Sequence, residues 1–476
     1  MCGIAGWVSS ASGRPDAPTL HRMCDAIRHR GPDSEGIFIG DHVALGARRL
    51  SIIDLATGDQ PIRSEDGAIT VVFNGEIYNF QEIRSELISL GHHFRTQGDT
   101  EVVVQAYRAW GEDFLNRLNG MFALALWDEP RERLVLARDR MGKKPLLISQ
   151  VGDTLVFGSE FQAVLAHPSV PRDVDPFAID DYLALGYIPA PRTGFQNIRK
   201  LRPGHMLICE RNQVHERQYW SLDFEPKRDI PEDQAIDEFK ALFMDAVRLR
   251  LISDVPLGAF LSGGIDSASV VATMAEAAHG PVKTFSIGFA DSAYNELPLA
   301  RLVAERYGTE HHEFVVEPRA AELLPTIIQH YGEPFADSSA LPTFELARVT
   351  RQHVTVALNG DGGDELFGGY DRYRALGLAQ TARNRLPIPA QIYHRAAELL
   401  PAAAAQRTLH GRARRFLSGL ALEPGEQYAR WLGIMPSADR AAYYRPAFRS
   451  LVAENRADER LIEPFAQRGN LTLAEA

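Results

Sequence analysis

The chain from position 257 to 280 reads LGAFLSGGIDSASVVATMAEAAHG. The apolar run 257–261 predicts a strand, Gly263 and Gly264 predict a tight turn, and the alanine-rich stretch after them predicts a helix. The same rhythm of strand and helix patterns continues along 282–363. Alternation of this kind predicts an α/β domain with a parallel sheet and helices on both of its faces.

The first half of the chain has a different rhythm, in which β-rich segments are joined by polar turns. Two helix patterns, 80–91 and 100–111, interrupt the strands, and each ends in glycine. Strands followed by helices, without strict alternation, predict layered α+β packing. We therefore divide the chain into an N-terminal domain, a linker and a C-terminal domain that ends in helical sequence, at 2–210, 211–234 and 235–476.

Composition and charge exclude several classes of function. The formal net charge of -11 disfavours nonspecific binding to nucleic acid or to an anionic membrane surface. No apolar run is long enough to cross a bilayer, and the N-terminus lacks the pattern of a signal peptide. Cys2, Cys24 and Cys209 are too widely spaced for a metal site or a disulfide framework. We expect a cytoplasmic protein without nucleic-acid or membrane partners, in which Cys24 and Cys209 are packing residues.

The strongest local signal is the loop Leu261–Ser267, which lies where a predicted strand ends and a helix begins. Backbone amides at a helix start, together with the helix dipole, bind phosphate oxygens. Ser262, Asp266 and Ser267 can cap the helix, but the Gly-Lys-Ser/Thr of a Walker loop is absent. The loop is therefore either a phosphate site or a well-capped strand-to-helix turn.

A second glycine-rich loop, LNGDGGDELFGGY at 358–370, also follows an apolar strand. Its carboxylates Asp361, Asp364 and Glu365 suit Mg²⁺, which takes one or two carboxylates together with phosphate oxygens of the substrate. Parallel sheets bind ligands at the carboxyl ends of their strands, so Asp266 and Asp364 could share one Mg²⁺–pyrophosphate. The alternative is a solvated acidic loop.

Near the N-terminus, Cys2 stands directly after the start methionine. Removal of Met1 would leave a thiol and a free α-amine on one residue, and an amine with a pKa of roughly 8 can act as the base for the thiol. The oxyanion of a tetrahedral intermediate needs donors, which the side-chain amide of Asn74 and the N–H of Gly75 can supply. Taken alone, Cys2 is typical of a buried small hydrophobic residue, and Asn-Gly is typical of a turn.

The segments RRLSIID, NGEIYN and GDTE add charged residues to this set. If the substrate is an amino acid, Arg49 can bind its carboxylate. Asp99 and Glu76 can bind its ammonium group. The three residues therefore predict an amino-acid site beside the thiol.

Eight motifs stand in the order of a known family and extend to about Tyr373. Five of the motifs resemble the class II glutamine amidotransferase domain, namely MCGIAG, RHRGPD, RRLSIID, FNGEIYNF and DTEV. The other three resemble the ATP-pyrophosphatase domain of glutamine-hydrolysing asparagine synthetases, namely LSGGIDS, TFSIGF and LNGDGGDELFGGY. The resemblance implies an α+β N-terminal nucleophile (αββα) domain, followed by an α/β nucleotide α-hydrolase-like domain with a parallel sheet.

The resemblance also implies roles for single residues. Cys2 would attack the side-chain amide of glutamine at an oxyanion hole of Asn74 and Gly75, and ammonia would pass internally to a second site. There ATP would adenylate aspartate, and ammonia would displace AMP to give asparagine. The residues implied to bind glutamine are Arg49, Asn74, Glu76 and Asp99. Those implied to bind ATP are Leu261, Ser262, Gly263, Gly264, Asp266, Ser267, Ile287 and Gly360. Those implied to bind Mg²⁺ are Asp266 and Asp364.

Departures from the family pattern keep alternatives open. Some members carry Glu where this chain has Asp361 and Ser where it has Gly363, at a position that handles the ammonia or the acceptor. Asp361 is therefore a catalytic candidate, and the acceptor could be another carboxylate, as in the branch associated with exopolysaccharide and exosortase systems.

The resemblance leaves two further points open. Family members continue with further helices, so the second domain is expected to be truncated, with 469–476 just inside a helix. A non-catalytic regulatory subunit is the other alternative, and a homodimer is left open.

Overall fold

The computed structural model describes residues 1–9, 14–278, 280–289, 295–316, 320–385, 388–400 and 408–467. The helix predicted at 469–476 lies outside these residues. Within them, no helix combines the length and the apolar character that a membrane span requires.

The N-terminal half is built from short strands and a few helices. The strands are β1 (Gly3–Ser9), β2 (Ser34–Ile39), β3 (Val43–Arg49), β4 (Ile62–Arg63), β5 (Ile69–Ile77), β6 (Gly120–Asp128), β7 (Arg133–Arg138), β8 (Leu147–Val151), β9 (Thr154–Gly158), β10 (Arg199–Lys200), β11 (His205–Glu210) and β12 (Gln213–Gln218). The helices are α1 (Ala17–Asp25), α2 (Phe80–Ser89), α3 (Thr100–Trp110), α4 (Phe114–Arg117), α5 (Phe161–Leu165) and α6 (Pro176–Leu185).

These strands form two six-stranded sheets, in the orders β10-β8-β9-β1-β3-β2 and β12-β11-β7-β6-β5-β4. Neighbouring strands run antiparallel, with Asn74 of β5 opposite Ala123 of β6. Antiparallel sheets of this kind bury alternate residues on their two faces.

Alternation of side chains along the strands produces four layers. In β6, Phe122 and Leu124 join the apolar cluster beneath α2 and α3, whereas Ala123 and Ala125 face the other sheet. In β1, Trp7 belongs to a third cluster with α1 and α5 on the outside of the first sheet. The order helix, sheet, sheet, helix confirms the predicted αββα fold.

The C-terminal half contains the predicted parallel sheet. Its first helices and strands are α7 (Glu232–Arg250), β13 (Leu257–Phe260), α8 (Ile265–Ala277), β14 (Lys283–Gly288), α9 (Leu297–Tyr307), β15 (Glu310–Val315), α10 (Ala320–Tyr331), α11 (Ala340–Thr350) and β16 (Val356–Leu358). The sheet order is β15-β14-β13-β16, and every pairing is parallel. Helices α7, α8 and α9 share one apolar cluster with β13, and α11 also contacts β14.

The remainder is helical, as predicted. The helices are α12 (Gly363–Phe367), α13 (Asp371–Arg385), α14 (Ala390–Leu399), α15 (Leu409–Leu420), α16 (Pro424–Leu432), α17 (Ser437–Tyr443), α18 (Pro446–Leu451) and α19 (Glu459–Gln467). They dock on α6 through buried polar contacts, in which Arg440 Nε donates to Asp180 Oδ1 at 2.9 Å and Tyr444 Oη donates to the same oxygen at 2.7 Å. The two halves of the chain are therefore packed against each other.

The division at 2–210, 211–234 and 235–476 stays a prediction. Strand β12 lies within 211–234, and it pairs with β11 at the edge of the second sheet. We therefore propose that the boundary between the domains follows Gln218.

Candidate functional site

The residues predicted in the N-terminal half meet at one cavity. Its lining includes Cys2 just before β1, Arg49 at the end of β3, Gly75 and Glu76 near the end of β5, and Asp99 directly before α3. The Cys2 thiol donates to the Leu50 carbonyl oxygen at 3.6 Å. Burial raises the pKa of this thiol. The thiol therefore depends on a neighbouring base for its ionisation at neutral pH.

Asn74 is adjacent to this lining and is 1% exposed. Among the described residues, neither its amide nitrogen nor its amide oxygen has a hydrogen-bond partner. An unpaired buried amide costs about 1–3 kcal/mol, so such groups in native proteins need an explanation. A ligand oxygen in the cavity would supply an acceptor for the Asn74 amide.

Gly75 lies where two strands approach closely. A Cβ atom at this position would stand 2.3 Å from the Met121 carbonyl oxygen. The register of β5 against β6 therefore leaves room only for glycine beside Asn74.

Arg49 is held in position by oxygen atoms of one loop. Its guanidinium donates to Asp59 Oδ1 at 3.0 Å and to the carbonyl oxygens of Ile53 at 3.1 Å and Asp54 at 2.6 Å. Because the side chain is 5% exposed, these bonds fix the direction of its remaining donors.

Glu76 and Asp99 place two carboxylates in the same cavity. Burial raises the pKa of Asp99 to about 6, although its Oδ2 accepts the Ile77 N–H at 2.8 Å. Burial, and secondly the charge of Asp99, raises the pKa of Glu76 well above its ordinary value. A bound ammonium group would stabilise both negative charges, so the pair suits an amino-acid substrate.

Lys144 is a residue that sequence reasoning missed. The charged segment Lys143–Lys144 follows Gly142 and is typical of a solvated turn or of a domain boundary, yet Lys144 is 5% exposed. Its ammonium lies 3.1 Å from Met1 Sδ, and burial lowers its pKa. Burial likewise lowers the pKa of the Met1 α-amine to about 5. The Met1 α-amine is therefore largely neutral at pH 7.

The loop that carries Lys144 is fixed by Asp139, which accepts the backbone N–H groups of Lys143 and Lys144, each at 2.9 Å. The side chain of Arg138 donates to the Lys144 carbonyl oxygen at 2.8 Å. The signal available in the sequence is the segment RDRMGKKPL, in which a charged turn leads directly into an apolar strand.

The two glycine-rich loops of the C-terminal half lie side by side, because β13 and β16 are neighbours. A Cβ atom on Gly360 would stand 2.7 Å from the Ser267 nitrogen, and one on Gly363 would stand 2.4 Å from Asp266 Cγ. Asp364 follows Gly363 at the start of α12. The structure thus brings the Asp266 carboxylate against the backbone that carries Asp364.

Internal hydrogen bonds shape the first of these loops. Ser262 Oγ and Ser267 Oγ are 2.9 Å apart, and the Gly264 N–H donates to Ser262 Oγ at 3.2 Å. Gly263 has a φ of 81°, a left-handed conformation that favours glycine.

The remaining predicted residues occupy the carboxyl ends of neighbouring strands. Leu261 follows β13, Ile287 lies near the end of β14, and Gly360 follows β16. Asp361 is exposed in the second loop, where its carboxylate accepts from the Asn359 amide at 2.6 Å. In the described part of the chain, no three His, Cys, Asp or Glu side chains form a candidate metal cluster.

Comparison with family models divides the chain in two. Residues 1–220 match the glutamine amidotransferase domain, and residues 238–463 match asparagine synthase.

Similar proteins share most of this chain. The chain is 38% identical over 379 residues to asparagine synthetase [glutamine-hydrolyzing] 1 of Bacillus subtilis. The alignment covers 79% of this chain and 60% of the Bacillus protein. It is 37% identical over 396 residues to putative asparagine synthetase [glutamine-hydrolyzing] 2 of Methanocaldococcus jannaschii. That alignment covers 78% of this chain and 76% of the Methanocaldococcus protein. The chain therefore spans less than two thirds of the Bacillus protein.

A solved structure of glutamine phosphoribosylpyrophosphate amidotransferase from B. subtilis aligns with a TM-score of 0.35 and 19% identity, covering 68% of this chain and 70% of that one. At this score the alignment has no bearing on function.

Proposed function

Since the chain belongs to the glutamine-hydrolysing asparagine synthetase family, we propose that it is a carbon–nitrogen ligase that takes ammonia from glutamine and transfers it to an ATP-activated aspartate. The observation that carries the proposal is the cavity that joins Cys2 to Arg49, Gly75, Glu76 and Asp99. A cytoplasmic location and a homodimer stay predictions.

In the first half-reaction, the Cys2 sulfur attacks the side-chain carbonyl carbon of glutamine, and the α-amine of Cys2 accepts the thiol proton after removal of Met1. The oxyanion accepts hydrogen bonds from the Asn74 amide and the Gly75 N–H. Cleavage of the carbon–nitrogen bond then releases ammonia and leaves a thioester. Water hydrolyses the thioester to glutamate and restores the thiol.

The charged residues of the cavity select the substrate. Arg49 binds the α-carboxylate of glutamine, and Glu76 with Asp99 binds its α-ammonium group. An ammonium group beside two buried carboxylates favours their charged forms, so a free amino acid should bind better than an amide without an ammonium group.

In the second half-reaction, a carboxylate oxygen of the acceptor attacks the α-phosphorus of ATP, and diphosphate leaves. Ammonia attacks the resulting acyl adenylate, and AMP leaves. The backbone of Ser262–Ser267 binds the phosphate oxygens, and Leu261, Ile287 and Gly360 lie against the adenosine.

The donor set fits a magnesium ion, because Asp266 lies against Gly363 beside Asp364, and two carboxylates with phosphate oxygens are what Mg²⁺ prefers. When bound, the ion neutralises charge on the phosphates. Asp266 and Asp364 are the residues that would hold it.

The acceptor carboxylate stays open between aspartate and another acid, because this loop departs from some family members at Asp361 and Gly363. Gly363 is held against Asp266 so closely that any side chain at this position must displace the carboxylate. The loop therefore excludes the Ser found in some family members.

The experiment compares wild type with Cys2→Ala, with and without ATP, Mg²⁺ and aspartate, and measures glutamate, asparagine and AMP together. We expect glutamate from wild type alone, with asparagine and AMP formed in equal amounts. Glutamate without AMP would point to another acceptor, which a panel of carboxylates can identify. Glutamate from neither protein would refute the nucleophile, and the regulatory-subunit alternative would then stand.

A further inference from the structure

Two hydrogen bonds join the loop 52–54 of the N-terminal half to Asp254 of the C-terminal half. The Asp54 N–H donates to Asp254 Oδ2 at 2.7 Å, and the Asp254 N–H donates to the Ile52 carbonyl oxygen at 2.9 Å. The nearby Ile252 packs against the apolar cluster of the second sheet. Each half of the chain thus supplies one donor and one acceptor to the other half, and we call this pair of bonds the Asp254 bracket.

On its N-terminal side, the Asp254 bracket holds the loop that orients both charged ends of the glutamine cavity. The carbonyl oxygens of Ile53 and Asp54 accept from the Arg49 guanidinium. The Asp54 carboxylate accepts the N–H groups of Gln97 at 2.8 Å and Gly98 at 3.0 Å, directly before Asp99. Asp54 has a φ of 57°, so its backbone adopts a conformation that needs such support.

On its C-terminal side, Asp254 stands shortly before β13, which ends in the loop Leu261–Ser267. Between them, the Pro256 carbonyl oxygen accepts the Thr355 N–H at 3.0 Å, directly before β16. The segment is thereby fixed to both strands that carry the glycine-rich loops. A change in the position of these strands must therefore act on Asp254.

We propose that Asp254 is a positioning residue that couples occupation of the ATP loops to the affinity of the glutamine cavity. The inference rests on the proposed function. When ATP fixes the loops, β13 and Asp254 hold Asp54 more firmly, and Arg49 and Asp99 are set for glutamine. Because coupling between two sites is reciprocal, bound glutamine strengthens ATP binding by the same factor.

The first test uses kinetics of the full chain. In wild type, ATP with Mg²⁺ lowers the KM for glutamine about fivefold, a size typical of coupled sites. In Asp254→Ala this dependence disappears and KM is about fivefold higher, whereas kcat stays within twofold, because Cys2 is untouched. Asp254→Asn keeps an oxygen acceptor and behaves as wild type. Asp245→Ala, at an exposed position on α7, controls for loss of a carboxylate.

A second readout does not depend on turnover. Amide hydrogen exchange of segment 52–58 is measured with and without ATP and Mg²⁺. We expect ATP to slow exchange in wild type and in Asp254→Asn, and to have no effect in Asp254→Ala, whose exchange is faster throughout.

The outcomes separate the two proposals. Equal ATP dependence of KM in wild type and Asp254→Ala overturns the coupling role, as does exchange in wild type that ATP leaves unchanged. Absence of glutamine hydrolysis by wild type overturns the proposed function, and the exchange experiment then still decides whether Asp254 links the ATP loops to segment 52–58.

Discussion

Replacement of Asp99 by Asn should stabilise the free protein while it weakens glutamine binding. Asp99 is 6% exposed and shares its cavity with Glu76. Asn has the same shape and keeps an oxygen for the Ile77 N–H, so the substitution removes the charge with little change in packing. The ligand-free cavity contains two buried carboxyl groups that disfavour each other's ionisation, and the substitution removes one of them.

The size of the effect follows from the pKa of Asp99, which burial raises from 3.8 to about 6. A raised carboxyl pKa means that the folded state binds the proton more tightly than the unfolded chain. Stability therefore falls as pH rises from 3.8 through 6, by about 3 kcal/mol at pH 7.5 and about 1 kcal/mol at pH 4.5. Asp99→Asn avoids this loss, so it should be more stable than wild type by those amounts.

The assay is urea unfolding of both proteins at the two pH values, beside the KM for glutamine at pH 7.5. KM should rise about tenfold or more, because a charge-assisted contact to the ammonium group is lost. Asp113→Asn, at an exposed position, should change neither quantity. A variant that is no more stable than wild type at pH 7.5, or a gain independent of pH, would refute the reasoning.

Three further changes test the two sites. Asn74→Ala should lower kcat for glutamine hydrolysis by about 10²–10³ and leave the free energy of unfolding unchanged or increased, as urea titration can measure, because its amide has no partner among the described residues. Lys144→Met should raise the pH at which iodoacetamide alkylates Cys2 by about one unit, because a nearby buried cation favours the thiolate; Lys144→Arg should not. Gly363→Ala should lower ATP-dependent release of diphosphate by about 10²-fold with unchanged glutamine hydrolysis, because its Cβ would stand 2.4 Å from Asp266 Cγ.

Matched controls exist for two of these changes. Lys143→Met alters the exposed neighbour of Lys144 and should leave alkylation unchanged. Gly377→Ala adds a Cβ that meets no atom of the described residues within 4 Å, so diphosphate release should persist. If a variant and its control had equal effects, the role given to Lys144 or Gly363 would be wrong. An Asn74→Ala protein with full activity would contradict the oxyanion role of Asn74.

The fold was predictable because apolar residues recur in the chain with the spacing of strands and helices. The alternation of large and small apolar residues in β6, from Phe122 to Leu126, separates the outer cluster from the layer between the sheets. The strand–turn–helix pattern around Leu261 likewise fixes the class of the second domain. Strand β12 was interpreted as linker, because it is an edge strand whose sequence QVHERQ is mostly polar and exposed.

The candidate site was predictable as a set of residues, and its supports were not. Cys2, Arg49, Asn74 and Asp99 carry recognisable chemistry and stand in motifs. The burial of Lys144 and the Asp254 bracket depend on residues that are distant in sequence and meet only in the folded chain. Asp254 stands in the polar segment SDVP, which is typical of an exposed loop.

The measurement that decides whether both halves work as one ligase uses glutamine labelled with ¹⁵N in its side-chain amide, together with ATP, Mg²⁺, aspartate and excess unlabelled ammonium. If ammonia passes internally, the amide of the asparagine formed carries ¹⁵N in wild type and unlabelled nitrogen in Cys2→Ala. Asparagine with unlabelled nitrogen from wild type, or absence of asparagine and AMP with glutamate still formed, would contradict the account.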